Sequence, residues 1–138
     1  MTITHSPAFT AQEVAHAAHV SGKDLAKVVV MKLDGRLAMA VVPAPERVDL
    51  DALAEATGAR EVVLAPEVEF AQRFPDCDRG AMPPFGNLYG MEVYVDGLLA
   101  GDRELAFPAG SHSEVIRMAY RDFERLVNPT VVPFAVHA

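Results

Sequence analysis

The sequence has little cysteine and little basic charge, and each shortage excludes a class of protein. One cysteine, Cys77, stands among 138 residues, which excludes a disulfide scaffold and suits a reducing, cytoplasmic location. Twelve Lys and Arg residues against nineteen Asp and Glu residues give a net charge of −7. This balance argues against DNA as a partner and against broad coating of any nucleic acid, because both need a basic face.

Signals for membrane insertion and export are also missing. No apolar run approaches the roughly 18–20 residues that a membrane helix needs. The N-terminal sequence MTITHSPAFT contains neither the basic segment nor the apolar segment that signal peptides carry. We therefore expect no contact with a membrane.

The usual cofactor and nucleophile motifs are absent as well. The chain has no Walker loop, no Gly-x-Gly-x-x-Gly fingerprint and no Gly-x-Ser-x-Gly elbow, so nucleotide cofactors and serine-hydrolase chemistry have no support. Its five histidines show no zinc-binding spacing, and we expect neither a metal nor a cofactor. Cys77 lies between Asp76 and Asp78, whose charges disfavour a thiolate, so it should be a poor nucleophile.

Hydrophobic residues make up 51% of the chain, and the length predicts one domain over residues 1–138 with a core from about 10 to 132. Helical spacing, capping residues and helix stops predict helices over 10–18, 49–57, 66–74 and 120–127. Apolar runs predict strands over 25–32, 36–43, 61–65, 91–95, 103–107 and 114–118. Loops are predicted over 75–88 and 108–112, with a turn at Asp96-Gly97. This mixture indicates an α/β or α+β domain.

The first predicted hairpin contains an unusual lysine. Asp34-Gly35 favours a two-residue turn, which would pair Leu33 with Arg36 and place Lys27 opposite Val42. Both faces of this hairpin are apolar, and Lys27 is the one charge among them. A buried lysine is costly unless it is paired or its pKa falls. Two alternatives stay open: Lys27 guards an edge strand, or its stem lies along the surface with the charge in water.

Two loops could lie beside a ligand. In the segment 80–86, two glycines bracket two prolines and Phe85, so the loop is stiff and its amides can approach a ligand closely. The alternative is a crossover loop in which Phe85 fills the core. The segment 109–112 could present backbone amides or the His112 imidazole to a ligand. Its alternative is a plain turn with His112 exposed.

These features occur in the order found in the YbaK/ProX family of aminoacyl-tRNA editing domains, which the chain resembles from about Val14 to Val132. A related domain occurs as an insertion in bacterial prolyl-tRNA synthetases. The matching segments are 20–22, 25–30, Gly80 with 84–86, 109–110 followed by Ile116, and 122–126. The resemblance implies a single domain whose curved, mixed and largely antiparallel sheet is flanked by short helices.

The resemblance also implies an activity: hydrolysis, in trans, of the ester that joins an amino acid to the terminal adenosine of misacylated tRNA. The tRNA would be that for proline, carrying a small amino acid such as alanine or cysteine. Lys27 matches the essential lysine of the family and would position the adenosine and the ester as the catalytic residue. The substrate-binding positions implied are Gly80, Pro84, Phe85, Gly86, Gly110, Ser111 and His112. The implied partner is the acceptor end of aminoacyl-tRNA, with a synthetase as a further candidate.

Several alternatives stay open at this stage. Many relatives carry Thr or Ser directly after the lysine, whereas this chain has Val28, so the identity of the substrate is not fixed. The attacking group could be water, the ribose hydroxyl or a substrate side chain. One alternative function is a non-catalytic module that binds an aminoacyl or nucleotide group while docked on a synthetase. Another is an unrelated mixed domain in which Lys27 is only an edge charge.

Overall fold

The computed structural model describes residues 2–4, 25–73, 82–100, 104–110 and 114–137. The strands in these ranges are β1 (Thr2–Thr4), β2 (Ala26–Leu33), β3 (Arg36–Pro43), β4 (Glu46–Val48), β5 (Val62–Leu64), β6 (Glu92–Asp96), β7 (Glu104–Pro108), β8 (Glu114–Ala119), β9 (Thr130–Val132) and β10 (Ala135–His137). The helices are α1 (Leu50–Thr57), α2 (Glu67–Phe70), α3 (Gly97–Ala100) and α4 (Tyr120–Val127). Single 3₁₀ turns cover Ala71–Arg73 and Gly86–Tyr89.

The strands form a mixed sheet, a smaller antiparallel sheet and a two-stranded pair. The mixed sheet has the order β5-β2-β3-β6-β9, with β2 antiparallel to both of its neighbours and β6 parallel to β3 and β9. The smaller sheet has the order β1-β8-β7, and β10 pairs with β4. A bridge between Leu25 and Ala106 joins the residue before β2 to β7. The expected mixed domain with short helices is therefore confirmed.

The predicted hairpin is present with the predicted register. Leu33 pairs with Arg36, and Lys27 pairs with Val42. At the turn, Asp34 and Gly35 have φ values of 49° and 86°, and a type I′ turn needs a positive φ at both positions. The Asp34 backbone N–H also donates to Glu61 O at 2.9 Å, which attaches the turn to the chain that leads into β5.

Both faces of this hairpin are buried, as the alternation of apolar residues predicted. One face belongs to a core that we call the Phe107 cluster, whose hairpin members are Ala26, Val30, Met39 and Val41. The other face belongs to the Phe134 cluster, whose hairpin members are Met31, Leu33, Ala38, Ala40 and Val42. The hairpin thus lies between two hydrophobic cores and contributes side chains to both.

Two predicted helices have the expected ends. The Asp49 side chain accepts a hydrogen bond from Ala52 N at 3.0 Å at the start of α1, and Gly58 ends that helix at φ 77°. Helix α4 covers the predicted range and ends at Asn128, whose φ is 52°. The predicted helix over 10–18 lies outside the described residues.

Other local predictions were wrong. Asp96-Gly97 is no free turn, because the chain continues from β6 directly into α3. The end of the predicted loop 75–88 is a 3₁₀ turn. The helix predicted over 66–74 is shorter, with Pro66 as its N-cap and a 3₁₀ turn after Phe70. Strands β1, β4, β9 and β10 were missed, because each has three residues, too few to display an alternating pattern. Strand β5 is as short, but it was predicted from the apolar run within 61–65.

Asp96 connects three parts of the chain at the end of β6. Its side chain is buried, with 3% of the residue exposed. Oδ2 accepts a hydrogen bond from Leu98 N at 2.8 Å, and Oδ1 accepts from Phe134 N and Ala135 N, both at 2.8 Å. One carboxylate therefore accepts hydrogen bonds from backbone N–H groups in the first turn of α3 and at the start of β10.

Asp96→Ala should reduce the free energy of unfolding by about 3 kcal/mol or more, because it removes the acceptor of three backbone N–H groups and each unpaired buried donor costs about 1–3 kcal/mol. Urea denaturation measures the change. Glu55→Ala, at an exposed position of α1, is the control and should stay within about 0.5 kcal/mol of the wild type. Equal stability of the two variants would contradict the role given to Asp96.

Asp34 should make stability depend on pH in the acid range. Backbone N–H donation from Glu61 and Arg60 holds the pKa of Asp34 below its ordinary value of 3.8. Because the folded pKa lies below the unfolded one, the ionised side chain stabilises the fold above the unfolded pKa. This contribution is lost as the pH falls through the folded pKa.

Asp34→Asn keeps a residue that tolerates positive φ and removes the titration. The difference in unfolding free energy between wild type and this variant should be constant near neutral pH and shrink below about pH 4. Chemical denaturation at a series of pH values measures it. A difference that stays unchanged into strong acid would show that Asp34 does not couple folding to proton binding.

Candidate functional site

Lys27 lies at the start of β2, half-buried and opposite Val42. Burial lowers its pKa from the ordinary value of 10.5, and the charge of Glu46 partly offsets that shift. A partly dehydrated ammonium interacts more strongly with an anion than a fully solvated one does, because less water screens it. The side chain is therefore placed to bind a negatively charged or strongly polarised group.

Glu46 is the acidic neighbour of Lys27 that sequence reasoning missed. It begins β4, directly after the turn at Ala44 and Pro45. The hydrogen bond from Ala44 N to Leu25 O, 2.7 Å long, holds this turn against the residues that precede β2. The hairpin register gave no signal for it, because the pairing continued past Pro43 moves away from Lys27. The turn at Ala44 and Pro45 is needed to bring Glu46 close enough for its charge to act on Lys27.

The segment that contains Pro84 and Phe85 is packed into the Phe107 cluster. Pro84 is buried and Phe85 is half-buried. The Phe85 ring centroid lies 5.4 Å from that of Phe107 and 5.9 Å from that of Phe123, in the edge-to-face geometry that aromatic pairs prefer. Phe85 thus fills the core, as one of the two sequence interpretations proposed, and it attaches this segment to β7 and α4.

Gly86 is required for close packing rather than for its backbone dihedrals. A Cβ at this position would lie 2.8 Å from Val93 Cγ2, 3.1 Å from Met39 Sδ and 3.2 Å from Met91 O. The last of these is a backbone atom, which cannot rotate away. The Gly86 carbonyl also accepts Met91 N at 2.9 Å. The absence of a side chain therefore lets the 3₁₀ turn lie directly against β3 and β6.

The second predicted loop begins at the end of β7. Gly110 is half-buried, and its φ of 93° is a conformation that favours glycine. Ala109 N donates to Glu114 O at 3.2 Å, which closes the loop toward β8. Ser111 and His112 lie outside the described residues, and so does Gly80 in the other loop.

Strand β7 contacts both candidate segments. Its Ala106 forms a β-bridge with Leu25, the residue before β2, and its Phe107 ring packs against the ring of Phe85. The side chains of Lys27 and Phe85 are not on the same face of β2, however. Ala26 and Val28 contribute to the Phe107 cluster with Phe85, and strand alternation turns Lys27 toward the other face. That these residues line one cleft stays a prediction.

The described residues contain neither a metal-binding cluster nor a membrane-spanning helix. No three His, Cys, Asp or Glu residues in the described ranges are grouped as a metal ion would need. Among the helices in those ranges, none has the length and apolar composition needed to cross a membrane.

Comparison with known families gives this geometry a context. The family model described as the aminoacyl-tRNA editing domain matches residues 5–126, a range that includes Lys27, Gly86 and Gly110. No curated protein sequence shows significant similarity to the chain.

Solved structures share the fold at low sequence identity. The hypothetical protein APE2540 gives a TM-score of 0.86 at 19% identity, over 99% of this chain and 91% of its own. A protein described as a candidate trans-editing enzyme for prolyl tRNA synthetase gives 0.85 at 20% identity, over 98% of this chain and 85% of its own. A candidate signal transduction protein from Marinobacter aquaeolei VT8 gives 0.75 at 19% identity, over 98% of this chain but 28% of its own. A similar domain therefore also occurs within a longer chain.

Gly86→Ala should destabilise the protein by about 1–3 kcal/mol, the usual cost of forcing an extra methyl group into a packed core. Gly97→Ala is the matched control, because a Cβ there would meet nothing within 4 Å and alanine is the better helix former at the start of α3. Thermal or urea unfolding of the two variants measures the contrast. If both variants were as stable as the wild type, the packing explanation for Gly86 would be wrong.

Proposed function

The chain belongs to the aminoacyl-tRNA editing domain family, and on that premise we propose that it hydrolyses the aminoacyl ester of misacylated tRNA. The observation that carries the proposal is Lys27, a half-buried lysine with a lowered pKa, which the resemblance matches to the family's essential lysine. The partner is the acceptor end of aminoacyl-tRNA, and the reaction releases the wrong amino acid before it reaches protein. A synthetase that produces the mischarged tRNA is the second partner we propose, in the reducing cytoplasm that a single cysteine suits.

Lys27 acts in this proposal by binding and orienting the substrate. Its ammonium group holds the terminal adenosine through a phosphate or ribose oxygen and so fixes the position of the ester. Alignment of this kind lowers a reaction barrier by several kcal/mol. Glu46 supports the same role, because its charge raises the pKa of Lys27 against the effect of burial and so favours the ammonium form.

The reaction needs no enzyme nucleophile, because an aminoacyl ester is already activated. In the overall balance, the oxygen of water forms a bond to the ester carbonyl carbon, and the bond from that carbon to the ribose oxygen breaks. One proton of the water goes to the ribose oxygen and the other to solvent, and the amino acid leaves with a free carboxylate. Backbone amides near Gly110 are the proposed donors to the carbonyl oxygen as charge develops on it, where the loss of one donor costs about 2.7–4 kcal/mol.

The proposed substrate is tRNA for proline that carries a small amino acid such as alanine or cysteine. The similar structure named for prolyl tRNA synthetase and the resemblance to the YbaK/ProX family support this choice of tRNA. Val28 presents no hydroxyl group next to Lys27, so selection would depend on the size and shape of the pocket. Pockets of that kind separate substrates that differ by one methylene by about 1–3 kcal/mol.

Lys27→Ala should abolish deacylation while leaving the fold intact, because it removes the proposed anchor from a partly exposed position. The measurement is hydrolysis of tRNA for proline charged with alanine, cysteine, serine or proline. Arg121→Ala is the control for loss of one positive charge, since Arg121 is exposed on α4, and it should keep full activity. Far-UV circular dichroism and unfolding curves of each variant confirm that it is folded.

Two outcomes would contradict the proposal. Full activity of Lys27→Ala would remove Lys27 from the reaction. Tight binding of an uncleavable aminoacyl-adenosine analogue, without turnover of any of the esters by the wild type, would instead favour the non-catalytic binding module.

A further inference from the structure

A cleft lies at the turn end of hairpin β2–β3, and no predicted site residue within the described ranges lines it. Its volume is about 480 Å³. The apolar part of its lining comes from Leu33, Leu37 and Ala38. The charged side chains around it are Lys32, Arg36, Arg73, Glu69 and Glu92. A cleft with this lining suits a ligand that is mainly charged rather than mainly apolar.

Ion pairs hold two of the three cations in place. Arg36 Nη1 lies 3.2 Å from Glu92 Oε1, and Lys32 Nζ lies 3.0 Å from Glu69 Oε2. The Tyr94 hydroxyl donates to the second oxygen of Glu92 at 2.6 Å. Burial raises the pKa of Tyr94 to about 12, so its hydroxyl stays a donor at neutral pH. Two successive contacts at the protein surface therefore orient the Arg36 side chain.

Arg73 is fixed by the backbone instead. Its Nη1 donates to Tyr89 O at 3.2 Å. A guanidinium has five N–H donors, so one bond of this kind leaves capacity for an oxyanion. Three cations and two carboxylates give the cleft a formal charge of 3 − 2 = +1, whereas the whole chain carries −7. The cleft is thus a local positive site on an acidic protein.

We propose that this cleft binds backbone phosphates of the tRNA acceptor arm. The inference rests on the proposed function, because it takes the same tRNA as ligand. The planar donor fork of arginine matches the geometry of phosphate oxygens, and the cleft contains two such forks. The contact is to the backbone, so it adds affinity and orientation without reading sequence.

The distance from Lys27 suits this role. Lys27 and Leu33 lie near the two ends of β2, and their separation of six residues corresponds to roughly 20 Å at about 3.3 Å per residue. A stacked nucleic-acid strand advances about 3.4 Å per nucleotide. With the terminal adenosine at Lys27, the cleft would contact the strand about six nucleotides further back.

The test is binding of uncharged tRNA for proline, labelled at its 5′ end, measured by fluorescence anisotropy at several salt concentrations. The double variant Arg36→Gln/Arg73→Gln should bind about tenfold more weakly, and its log–log salt slope should fall by about 1 to 2, because each phosphate contact contributes about 0.7–0.9. Binding of a tetranucleotide with the sequence of the tRNA 3′ end should not change, because it is too short to reach the cleft.

A second variant gives an effect of opposite sign. Glu69→Gln removes a carboxylate from the cleft and should tighten tRNA binding severalfold, which a merely structural role of Glu69 would not do. Glu55→Gln matches the charge change of Glu69→Gln, and Arg121→Gln/Arg125→Gln matches that of the double variant, at exposed positions that do not line the cleft. Each of these two controls should bind within twofold of the wild type.

The outcomes separate this inference from the proposed function. Wild-type binding that the double variant leaves unchanged would overturn the inference, even if esters are hydrolysed. Absence of tRNA binding by the wild type would overturn it as well. Cleft-dependent binding without hydrolysis of any ester would support the cleft as a tRNA site and contradict the proposed reaction.

Discussion

The arrangement of the Phe134 cluster depends on the hydrogen bonds that the buried carboxylate of Asp96 accepts. Its oxygens accept Leu98 N at one end and Phe134 N and Ala135 N at the other, so the end of β6 fixes where the last described strand begins. Phe134 O in turn accepts Asp49 N at 2.7 Å, which sets the start of α1 and seats the Phe134 ring in the core. Because β10 pairs with β4, the same carboxylate determines where Glu46 stands relative to Lys27.

The parts of the fold that local sequence determines were predictable. Alternating apolar residues and Asp34-Gly35 predicted the hairpin with its register, since strand period and turn chemistry act over a few residues. The same dipeptide at Asp96-Gly97 led to a wrong turn prediction. There the aspartate side chain accepts hydrogen bonds from Phe134 N and Ala135 N, 38 and 39 positions away, and from Leu98 N in the helix that follows. The parallel pairing of β6 depends likewise on distant partners that no short window contains.

The candidate site shows the same division. The packing of Phe85 into the core was one of two interpretations of its loop, and the placement of Lys27 among apolar neighbours was predictable from the hairpin register. Glu46 was not, since its effect on Lys27 depends on a turn and on the pairing of β4 with β10. The cleft at the other end of the hairpin was also missed, because Arg36 and Arg73 meet there only after α2 and the 3₁₀ turns have folded against the sheet.

The contacts of Asp96 have a consequence for a chain that is still being synthesised. The backbone N–H groups that its Oδ1 needs belong to residues 134 and 135, which are 38 and 39 positions later. At the usual rate of about 5–20 residues per second, they leave the ribosome roughly 2–8 seconds after Asp96 does. During that interval the carboxylate can stay in water, while the β2–β3 hairpin already has its two neighbouring strands, β5 and β6. The Phe134 cluster is therefore completed only after residues 134 and 135 have emerged.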